Sequence, residues 1–495
     1  MVGTIESMKR TFSHTGTFVL FILCLAVSIF GVFAQENTDR PNILLIYIDD
    51  LRTELGAYGV PRALTPNIDA FAGQSLLFTN AYCQYPVCGP SRASALSGLT
   101  PDQLGIYLND AKLRNSHPDL LTLPQAFQRA GYETVSIGKV FDQRIRDPES
   151  WNAEYLYKQH DIYAHPENQR IHDENSRRKA QDAEHPWRAG PPVEIGREGR
   201  GLYQDEKIFA KADEELKRLA DAKKPFFLAV GFNKPHLPFT APEKYWKMYD
   251  RNAIQLPASR DVPEGSPPIA FWNWLELRAF QGIPKEGPVP DDTARELIQG
   301  YLAATSFSDD LAGQLLTELD RLGLAGNTIV IILGDNGFHL GELGQWVKYV
   351  NTELATHIPF FLRAPGLTPR KVEGNFELLD LYPTLCSLAG VEAPEGLKGR
   401  DLAGVLRGGA SSLPVNTPAL TQLLRPGRAM GYSLRSGNWR YTEWLNPKSG
   451  KLVAEELYDY SKSNIETVNL AGNPEYKKIK DELAAQLEKL VESRK

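Results

Sequence analysis

The chain has 495 residues and a formal net charge of −6, with acidic and basic residues mixed along its length. This length is enough for one large α/β domain and a smaller second domain. The sequence has no long basic run, which argues against general nucleic-acid binding. A local group of cationic side chains can still bind an anionic substrate.

The N-terminus has the pattern of a targeting segment. Lys9 and Arg10 precede an apolar run over residues 18–27, and Val32-Phe33-Ala34 is typical of a cleavage site. We therefore expect residues 1–34 to be a signal peptide, with a membrane anchor as the alternative, because the run is near the lower length limit for spanning. Cleavage would give an exported protein without a stable membrane span, periplasmic or secreted, or lysosomal in a eukaryote.

The cysteine count fits this expectation. After cleavage three cysteines would remain, which is not a disulfide framework. We interpret Cys83 and Cys386 as core residues and consider Cys88 separately.

The first half of the chain alternates short apolar runs, which predict buried strands, with amphipathic segments, which predict helices. The predicted strands cover residues 41–48, 76–82, 132–138 and 225–232, and the predicted helices cover residues 65–72, 123–131 and 205–222. A further short helix is predicted to have Pro90 near its first turn and Gly98 at its end. This alternation predicts an α/β domain with a mainly parallel sheet. Residues 144–201 are polar but contain scattered aromatic residues, so we expect an ordered excursion over the domain.

The second half continues this pattern and then changes. We predict a long helix at 293–322, strands at 328–333 and 359–363, a helix at 376–389, a loop at 411–428, antiparallel strands within 430–444 and 456–460, and a closing helix at 473–491. The sequence thus predicts a large domain over residues 38–400. Residues 401–495 are predicted to form a smaller subdomain with an antiparallel sheet and a terminal helix.

Polar side chains stand where predicted strands end. Asp49 and Asp50 follow the first strand, and Asp335 and Asn336 follow the strand at 328–333. Open α/β sheets bind their ligands at the carboxyl ends of the strands. Oxygen donors from two strand ends suit a hard divalent cation such as Ca²⁺ or Mg²⁺, although each pair alone is also typical of a cap or a turn. Cationic side chains follow other predicted strands or loops: Lys139, Lys234, His236 and Lys348.

The stretch Cys88-Gly89-Pro90-Ser91-Arg92 leads into a predicted helix that ends at Gly98. The positive end of the helix dipole and the charge of Arg92 would favour anionic chemistry at Cys88. An isolated cysteine in such a place is more often a structural residue beside a helix cap. The carboxylates and cations at the strand ends favour the functional interpretation.

These residues resemble the formylglycine-dependent sulfatases, and most closely their iduronate-2-sulfatase branch. Cys88-Gly89-Pro90-Ser91-Arg92 with Leu96-Ser97-Gly98 is similar to the family's Cys-x-Pro-Ser-Arg signature and its downstream Leu-Thr/Ser-Gly. Other similar stretches are Ile48–Arg52, Gly138–Phe141, Phe226–Gly231, Lys234–His236, parts of 341–349, Thr356–Pro359, Met430–Ser433 and Glu456–Asp459. The resemblance spans about residues 41–470. It implies an alkaline-phosphatase-like fold with a large α/β domain and a small C-terminal sheet.

The resemblance also implies a nucleophile and a metal site. A maturation enzyme would oxidise Cys88 to formylglycine, whose hydrate is a gem-diol. The implied ligands of a Ca²⁺ ion, or of Mg²⁺, are Asp49, Asp50, Asp335, Asn336 and the converted Cys88. The metal and Arg92 would stabilise one hydroxyl as an oxyanion that attacks the sulfate sulfur.

The remaining implied roles concern the sulfate group. Lys139, His236 and Lys348 would bind its oxygens, where charge must be neutralised in the transition state. His236 or Lys348 would protonate the leaving alcohol. The second hydroxyl would then lose a proton and expel sulfate.

Three positions depart from the family pattern. Asp142 stands where the family often has a histidine, a candidate base for the release step. A carboxylate there can serve as the base, bind substrate or lie outside the site. Asn336 and Leu343 stand where the iduronate-2-sulfatase branch has histidines, so the substrate need not be an iduronate.

We expect an exported sulfatase that acts on a sulfated oligo- or polysaccharide. The alternatives are a phosphate or phosphonate ester hydrolase with the same nucleophile, and a non-catalytic protein that binds sulfated glycans. Aromatic faces stack on sugar rings, so we expect Trp272 and Trp274, in the Pro-rich loop at 265–290, and the excursion at 144–201 to select the sugar.

Overall fold

The computed structural model describes residues 40–494 except 110–111, 158–161, 200, 272–274 and 415–416. The predicted signal peptide at 1–34 and the two tryptophans Trp272 and Trp274 lie outside the described residues. Among the described helices, none combines the length and apolar character that a membrane-spanning helix needs.

The described strands belong to three sheets. Their bounds are β1 Asn42–Ile48, β2 Leu76–Tyr82, β3 Glu133–Gly138, β4 Ala153–Tyr155, β5 Val193–Gly196, β6 Phe226–Phe232, β7 Phe239–Pro242, β8 Thr328–Gly334, β9 His357–Ile358, β10 Phe360–Arg363, β11 Arg370–Glu377, β12 Ala419–Arg425, β13 Ala429–Ser436, β14 Trp439–Leu445 and β15 Leu452–Asp459. In this part of the chain, nine strands form a central mixed sheet in the order β11-β2-β10-β8-β1-β6-β3-β4, with β9 paired to β2.

The centre of this sheet is parallel. β1 pairs in parallel with β6 on one side and with β8 on the other, and β6 pairs in parallel with β3. Every residue of β1 is buried, because the run is apolar on both faces of the sheet. The predicted mainly parallel α/β sheet is confirmed, and its four central strands end at one edge.

Helices cover both faces of the sheet. Their bounds are α1 Pro66–Ala72, α2 Cys88–Ser97, α3 Pro101–Leu104, α4 Leu113–Ser116, α5 Leu123–Arg129, α6 Pro166–Gln181, α7 Gln204–Ala222, α8 Glu243–Trp246, α9 Leu275–Arg278, α10 Asp291–Arg321, α11 Glu353–Thr356, α12 Leu381–Ala389, α13 Ala403–Arg407 and α14 Lys477–Ser493. Alternate residues of β1 enter two separate cores: Leu44, Ile46 and Ile48 pack with residues of α7 and α10, and Ile43, Leu45 and Tyr47 pack with residues of α2, α5 and α12.

A second sheet lies near the C-terminus. β12, β13, β14 and β15 form it in this order, all antiparallel. Leu483 and Leu487 of α14 pack against one face of it. This sheet confirms the predicted antiparallel sheet near the C-terminus, and residues 41–495 form one contiguous unit. The domain boundary near residue 400 stays a prediction.

Two predicted elements are wrong. The helix predicted at 376–389 begins only at Leu381, because Phe376 and Glu377 extend β11 and Phe376 packs on Phe78 and Phe360. The loop predicted at 411–428 contains β12, which pairs with β13 along its full length. Strand pairing decided both cases against local sequence preference.

The excursion at 144–201 is ordered where the structure describes it, as predicted. It contributes β4 to the edge of the central sheet, contains the 16-residue helix α6, and pairs β5 with β7. The excursion thereby lies beside the loop that follows β6.

Candidate active site

The predicted site residues converge at the carboxyl edge of the parallel strands. Asp49 and Asp50 follow β1, Asp335 follows β8, and Lys139 follows β3. Cys88 is the first residue of α2. Because β8, β1, β6 and β3 are adjacent and parallel, their ends meet, and α2 brings Cys88 to the same place.

Four of these residues form a cluster with the chemistry of a metal site. Asp49, Asp50, Cys88 and Asp335 each offer one ligand atom, and these atoms all lie within 4.8 Å of one another. All four side chains are buried, at 2% exposure or less. Asp50 has a φ of 60°, a left-handed backbone conformation that is strained for a non-glycine residue and is often found at functional sites.

Asn336 completes the donor set. Its Nδ2 donates to Asp50 Oδ1 at 2.7 Å and to the Gly337 carbonyl at 2.8 Å. Its Oδ1 is buried, and no donor among the described residues reaches it. A buried amide oxygen without a donor beside clustered carboxylates fits a hard cation. The residues present therefore suit Ca²⁺ or Mg²⁺.

Arg92 holds the carboxylates of this cluster in place. Its Nε donates to Asp335 Oδ2 at 2.7 Å, and its Nη2 donates to Asp49 Oδ1 at 3.3 Å. Its Nη1 donates to the Lys139 and Val140 carbonyls, and the guanidinium lies 4.7 Å from the centre of the Tyr47 ring. The side chain is fully buried. The structure thus shows contacts of Arg92 with two metal-ligand candidates, and its contribution to an oxyanion stays a prediction.

Two lysines surround Cys88 with positive charge. Lys348 Nζ lies 2.6 Å and 2.8 Å from the oxygens of Asp50 and 3.2 Å from Cys88 Sγ. Lys139 Nζ lies 2.5 Å from Asp49 Oδ2. Burial lowers the pKa of each lysine, but the neighbouring carboxylates outweigh it and raise both pKa values above their ordinary range. Both side chains are therefore cationic at neutral pH.

The side chains around Cys88 do not by themselves activate its thiol as a thiolate. Burial raises its pKa well above the ordinary value and Asp49 raises it further, although Lys139 and Lys348 oppose both effects. Burial likewise raises the pKa of Asp335 to about 6 against the opposing charge of Arg92. Concentrated buried carboxylates of this kind favour a bound cation.

A cavity of about 440 Å³ opens onto the cluster. Cys88, Lys139, His236 and Lys348 line one part of it. The excursion at 144–201 and the neighbouring start of α7 supply much of the remaining wall: Arg144, Ile162, Tyr163, His172, Leu202, Tyr203, Gln204 and Asp205. The volume is that of a small-molecule site, and the excursion lines part of it. Selection of the sugar by the excursion stays a prediction.

The sulfatase family model matches residues 41–391. Iduronate 2-sulfatase of Homo sapiens is 33% identical over 503 aligned residues, which cover 88% of this chain and 90% of the relative. The chain belongs to the sulfatase family. It is a sulfuric ester hydrolase, and the resemblance seen in the sequence is confirmed.

Solved structures place this sulfatase in the expected alkaline-phosphatase-like fold. A protein solved in complex with its substrate D-glucosamine-2-N,6-O-disulfate superposes with a TM-score of 0.73 at 22% identity, covering 92% of the sulfatase and 98% of that chain. The phosphonate monoester hydrolase of Agrobacterium radiobacter gives a TM-score of 0.72 at 24% identity, covering 92% and 96%. At these identities the likeness supports the fold alone.

His236 lies at the cavity with its ring anchored. Its Nδ1 lies 2.6 Å from the Leu237 carbonyl and, as the protonated nitrogen, donates to it. Its Nε2 lies 3.8 Å from Asp50 Oδ2 and 3.4 Å from Glu276 Oε1. The side chain is 29% exposed, so His236 is more accessible than the two lysines.

Glu276 is a residue of the sulfatase site that the sequence did not predict. Its Oε1 lies 3.2 Å from Lys348 Nζ and also faces His236. Burial raises the pKa of Glu276, but Lys348 and His236 outweigh it and bring the pKa to about 2. Glu276 lies on the four-residue helix α9 within the Pro-rich segment, where no periodicity or strand end marks it.

Asp142 is fully buried and paired with Arg144. Its Oδ1 accepts from Arg144 Nε at 2.8 Å and from the Arg144 backbone N–H at 3.0 Å, and its Oδ2 accepts from Arg144 Nη2 at 3.0 Å. Burial raises the pKa of Asp142, but Arg144 and Lys139 outweigh it and bring the pKa to about 2. Arg144 lines the cavity of the sulfatase and Asp142 is not part of its lining. A role of Asp142 as a base stays a prediction.

Proposed function

We propose that this sulfatase hydrolyses sulfate esters of a sulfated oligo- or polysaccharide, in the manner of iduronate 2-sulfatase, through a formylglycine made from Cys88 and a bound divalent cation. The observation that carries the proposal is the position of Cys88 Sγ, which lies in one buried cluster with three carboxylates and 3.2 Å from Lys348 Nζ. This arrangement places the nucleophile position beside carboxylates that can hold a cation and beside a lysine that can bind an anion.

The proposed nucleophile is not the thiol. Burial and Asp49 raise the pKa of Cys88, so the side chains around it do not by themselves favour a thiolate. Hydrated formylglycine supplies a hydroxyl for attack on sulfur, and its second hydroxyl allows sulfate to leave without attack of water on sulfur. The conversion replaces the Cys88 sulfur with oxygen, releases the sulfur as hydrogen sulfide and is a two-electron oxidation of the carbon. The proposal therefore requires a formylglycine-generating maturation enzyme and its external oxidant as a partner.

The proposed cation ligands are Asp49, Asp50, Asp335, Asn336 and the converted Cys88. The cation, Ca²⁺ or alternatively Mg²⁺, supplies Lewis-acid stabilisation of negative charge next to the nucleophile. The donor-free Oδ1 of Asn336 and the clustered carboxylates support this assignment. Arg92 keeps Asp49 and Asp335 oriented through its hydrogen bonds.

Three side chains are proposed to bind the sulfate group. Lys139 and Lys348 are buried cations at the cavity floor, and their charge offsets the charge of a sulfate ester and of its transition state. His236 is the proposed general acid for the leaving alcohol. It is partly exposed to the cavity, whereas Lys348 is 2% exposed and paired with both Asp50 and Glu276.

We also propose that the protein is exported after removal of residues 1–34. Lys9 and Arg10, the apolar run at 18–27 and the small-residue site ending at Ala34 support this assignment. An exported enzyme would meet sulfated polysaccharides outside the cytoplasm.

The experiment that tests the proposed function is a substrate comparison. The chain is co-expressed with a maturation enzyme, formylglycine is verified by mass spectrometry, and kcat/KM is measured on an aryl sulfate, an aryl phosphate, an aryl phosphonate and a panel of sulfated oligosaccharides. We expect sulfate esters to be preferred and at least one oligosaccharide to be desulfated. Preference for the phosphonate would contradict the proposal, and no turnover by verified formylglycine protein would indicate a binding protein.

Cation binding should stabilise the folded protein measurably. A ligand at a concentration of 100 times its Kd adds about 2.7 kcal/mol to the free energy of unfolding. We therefore expect Ca²⁺ to raise the Tm of protein freed of metal with a chelator. Asn336→Ala should weaken Ca²⁺ binding at least about 10-fold, since it removes one ligand of a buried site.

Calorimetric titration with Ca²⁺ measures this loss directly. Asn375→Ala is the matched control, because Asn375 is also buried but binds the Thr417 and Arg435 carbonyls away from the cluster. Equal Ca²⁺ affinity in the two variants, or a Tm that does not respond to Ca²⁺ or Mg²⁺, would contradict a cation site at Asn336.

A further inference from the structure

We propose that Arg144 binds a second anionic group on the sugar, a carboxylate or a further sulfate, and that Asp142 is the positioning residue for its guanidinium. This inference rests on the proposed function of the same cavity and names its substrate class as sugars with two anionic substituents. It gives a role in substrate binding to the Asp142–Arg144 pair, which the proposed reaction steps do not use.

The first observation is the depth of the cationic side chains in the cavity. Lys139, Lys348 and Arg144 all line it. The side chains of Lys139 and Lys348 are 8% and 2% exposed, whereas that of Arg144 is 51% exposed. The two lysines thus lie at the floor beside Cys88, and Arg144 lies nearer the mouth. An ester bound at the floor would place its sugar ring between these two levels.

The second observation is that the guanidinium is fixed in advance. Asp142 accepts from Nε and Nη2 of Arg144 at 2.8 Å and 3.0 Å, in a two-pronged pair, and also accepts from the Arg144 backbone N–H. Such pairing fixes the plane of a guanidinium and lowers the entropy lost when a ligand binds. Within the described part of the chain, no acceptor engages Nη1, which leaves donors for a ligand oxygen.

The third observation concerns what Asp142 can reach. Its side chain is 0% exposed and is not part of the cavity lining. Its Oδ2 also lies 3.8 Å from Lys139 Nζ. The carboxylate therefore lies behind Arg144 and beside the sulfate-binding lysine. From this position it contacts the guanidinium of Arg144 and lies near the ammonium of Lys139, so it can orient cationic side chains.

Charge favours an anion at Arg144 over a neutral group. The lining of the cavity includes Lys139, Arg144, Lys234 and Lys348, together with His172 and His236. Its acidic members are already engaged: Asp49 by Arg92 and Lys139, Asp205 by the backbone of Asn233 and Lys234, and Glu276 by Lys348. The same pairs offset the charge of Lys139 and Lys348, so a second negative substituent on the sugar would meet the partly exposed guanidinium of Arg144.

The test compares substrates with one and two anionic groups. The substrates are an aryl sulfate, a sulfated uronic acid disaccharide, its carboxyl methyl ester, and a disulfated amino sugar without a carboxylate. A charge-assisted hydrogen bond contributes about 1.5–3 kcal/mol, or about 10- to 100-fold in affinity. We expect Arg144→Ala to raise KM on a dianionic sugar by about this factor with little loss of kcat. The ratio of kcat/KM on the dianionic sugar to kcat/KM on the aryl sulfate should fall by the same factor.

Conservative variants separate positioning from structure. Arg144→Lys should recover part of the lost affinity because it keeps the charge without the fork. Asp142→Asn should raise KM on the same dianionic sugar and leave kcat largely intact. Arg146→Ala is the matched control, since Arg146 is similarly exposed, pairs with Glu154 and lies outside the cavity lining. A drop in kcat on every substrate in Asp142→Asn, without a rise in KM specific to the dianionic sugar, would overturn the positioning role at Arg144.

The arms of the experiment identify the anion. If Arg144→Ala raises KM on the uronic acid disaccharide but not on its methyl ester, the second anion is a carboxylate. If Arg144→Ala raises KM on the disulfated amino sugar, the second anion is a sulfate. Equal effects of Arg144→Ala on the aryl sulfate and on both dianionic sugars would overturn the inference while leaving the sulfatase function intact. Titration calorimetry with the same sugars measures binding without turnover when both proteins carry Cys88→Ala and only one also carries Arg144→Ala. Equal Kd values for the two proteins would also overturn the inference.

Discussion

Cys88→Ala is expected to abolish sulfate ester hydrolysis, with a loss in kcat of at least about 10⁴-fold, as for removal of other catalytic nucleophiles. The variant has no thiol to convert, so neither the attacking hydroxyl nor the second hydroxyl that releases sulfate can form. The fold should persist, because only Sγ is removed, and its polar neighbours Asp50 and Lys348 stay paired with each other. Steady-state rates on an aryl sulfate, with circular dichroism and Tm, measure both outcomes.

Cys386→Ala is the matched control for this prediction. Cys386 is also a free, buried cysteine, but it lies in α12 within a hydrophobic core rather than in the cluster. It should keep the wild-type rate per folded molecule. Mass spectrometry of active wild-type protein should show the mass decrease that accompanies conversion of the thiol to an aldehyde. Full activity with an unmodified Cys88 thiol would contradict the formylglycine mechanism.

The parts of the site that the sequence predicted share one physical basis. Parallel strands are buried on both faces, so their apolar runs are recognisable, and each ends at the same edge of the sheet. Asp49, Lys139 and Asp335 could therefore be placed together from strand ends alone. Cys88 was assigned to the same site because the signature at the start of its helix resembles that of the sulfatase family.

Other parts of the site depend on contacts that no local pattern encodes. Glu276 reaches Lys348 and His236 from a short helix in a Pro-rich segment. The sequence marked Arg144 only as the first residue of a polar excursion. Its position at the cavity depends on its ion pair with Asp142. Asp142 itself was a candidate because of the family's histidine, and only the three-dimensional arrangement shows that Arg144 occupies both of its oxygens.

The wrong elements have a similar cause. β12 was predicted as loop because the segment at 411–428 is rich in residues typical of turns, yet β13 supplies a partner for every residue of the strand. The start of α12 was predicted too early because the local sequence at Phe376 and Glu377 does not distinguish a helix from a strand. Pairing of β11 with β2 decided the matter, which is the context dependence expected of strands.

Lys348→Met is the second prediction with a large expected effect. We expect kcat/KM on an aryl sulfate to fall about 10²- to 10³-fold, the range for loss of one preorganised group that stabilises transition-state charge. Lys348 Nζ contacts both oxygens of Asp50, Cys88 Sγ and Glu276 Oε1, so it is a cation in direct contact with the nucleophile position. Methionine keeps the length of the side chain and removes the charge. Steady-state kinetics on folded protein measures the loss.

The same contacts predict a second effect that must be separated from catalysis. Without Lys348, Asp50 and Glu276 lose a buried counter-charge, and breaking a buried ion pair is destabilising. Ca²⁺ should restore part of the Tm, because it would neutralise Asp50, but it should not restore kcat/KM if Lys348 binds the sulfate. Lys448→Met, at an exposed lysine, should change neither quantity. Recovery of both Tm and kcat/KM with Ca²⁺ would instead assign Lys348 a purely structural role as the partner of Asp50.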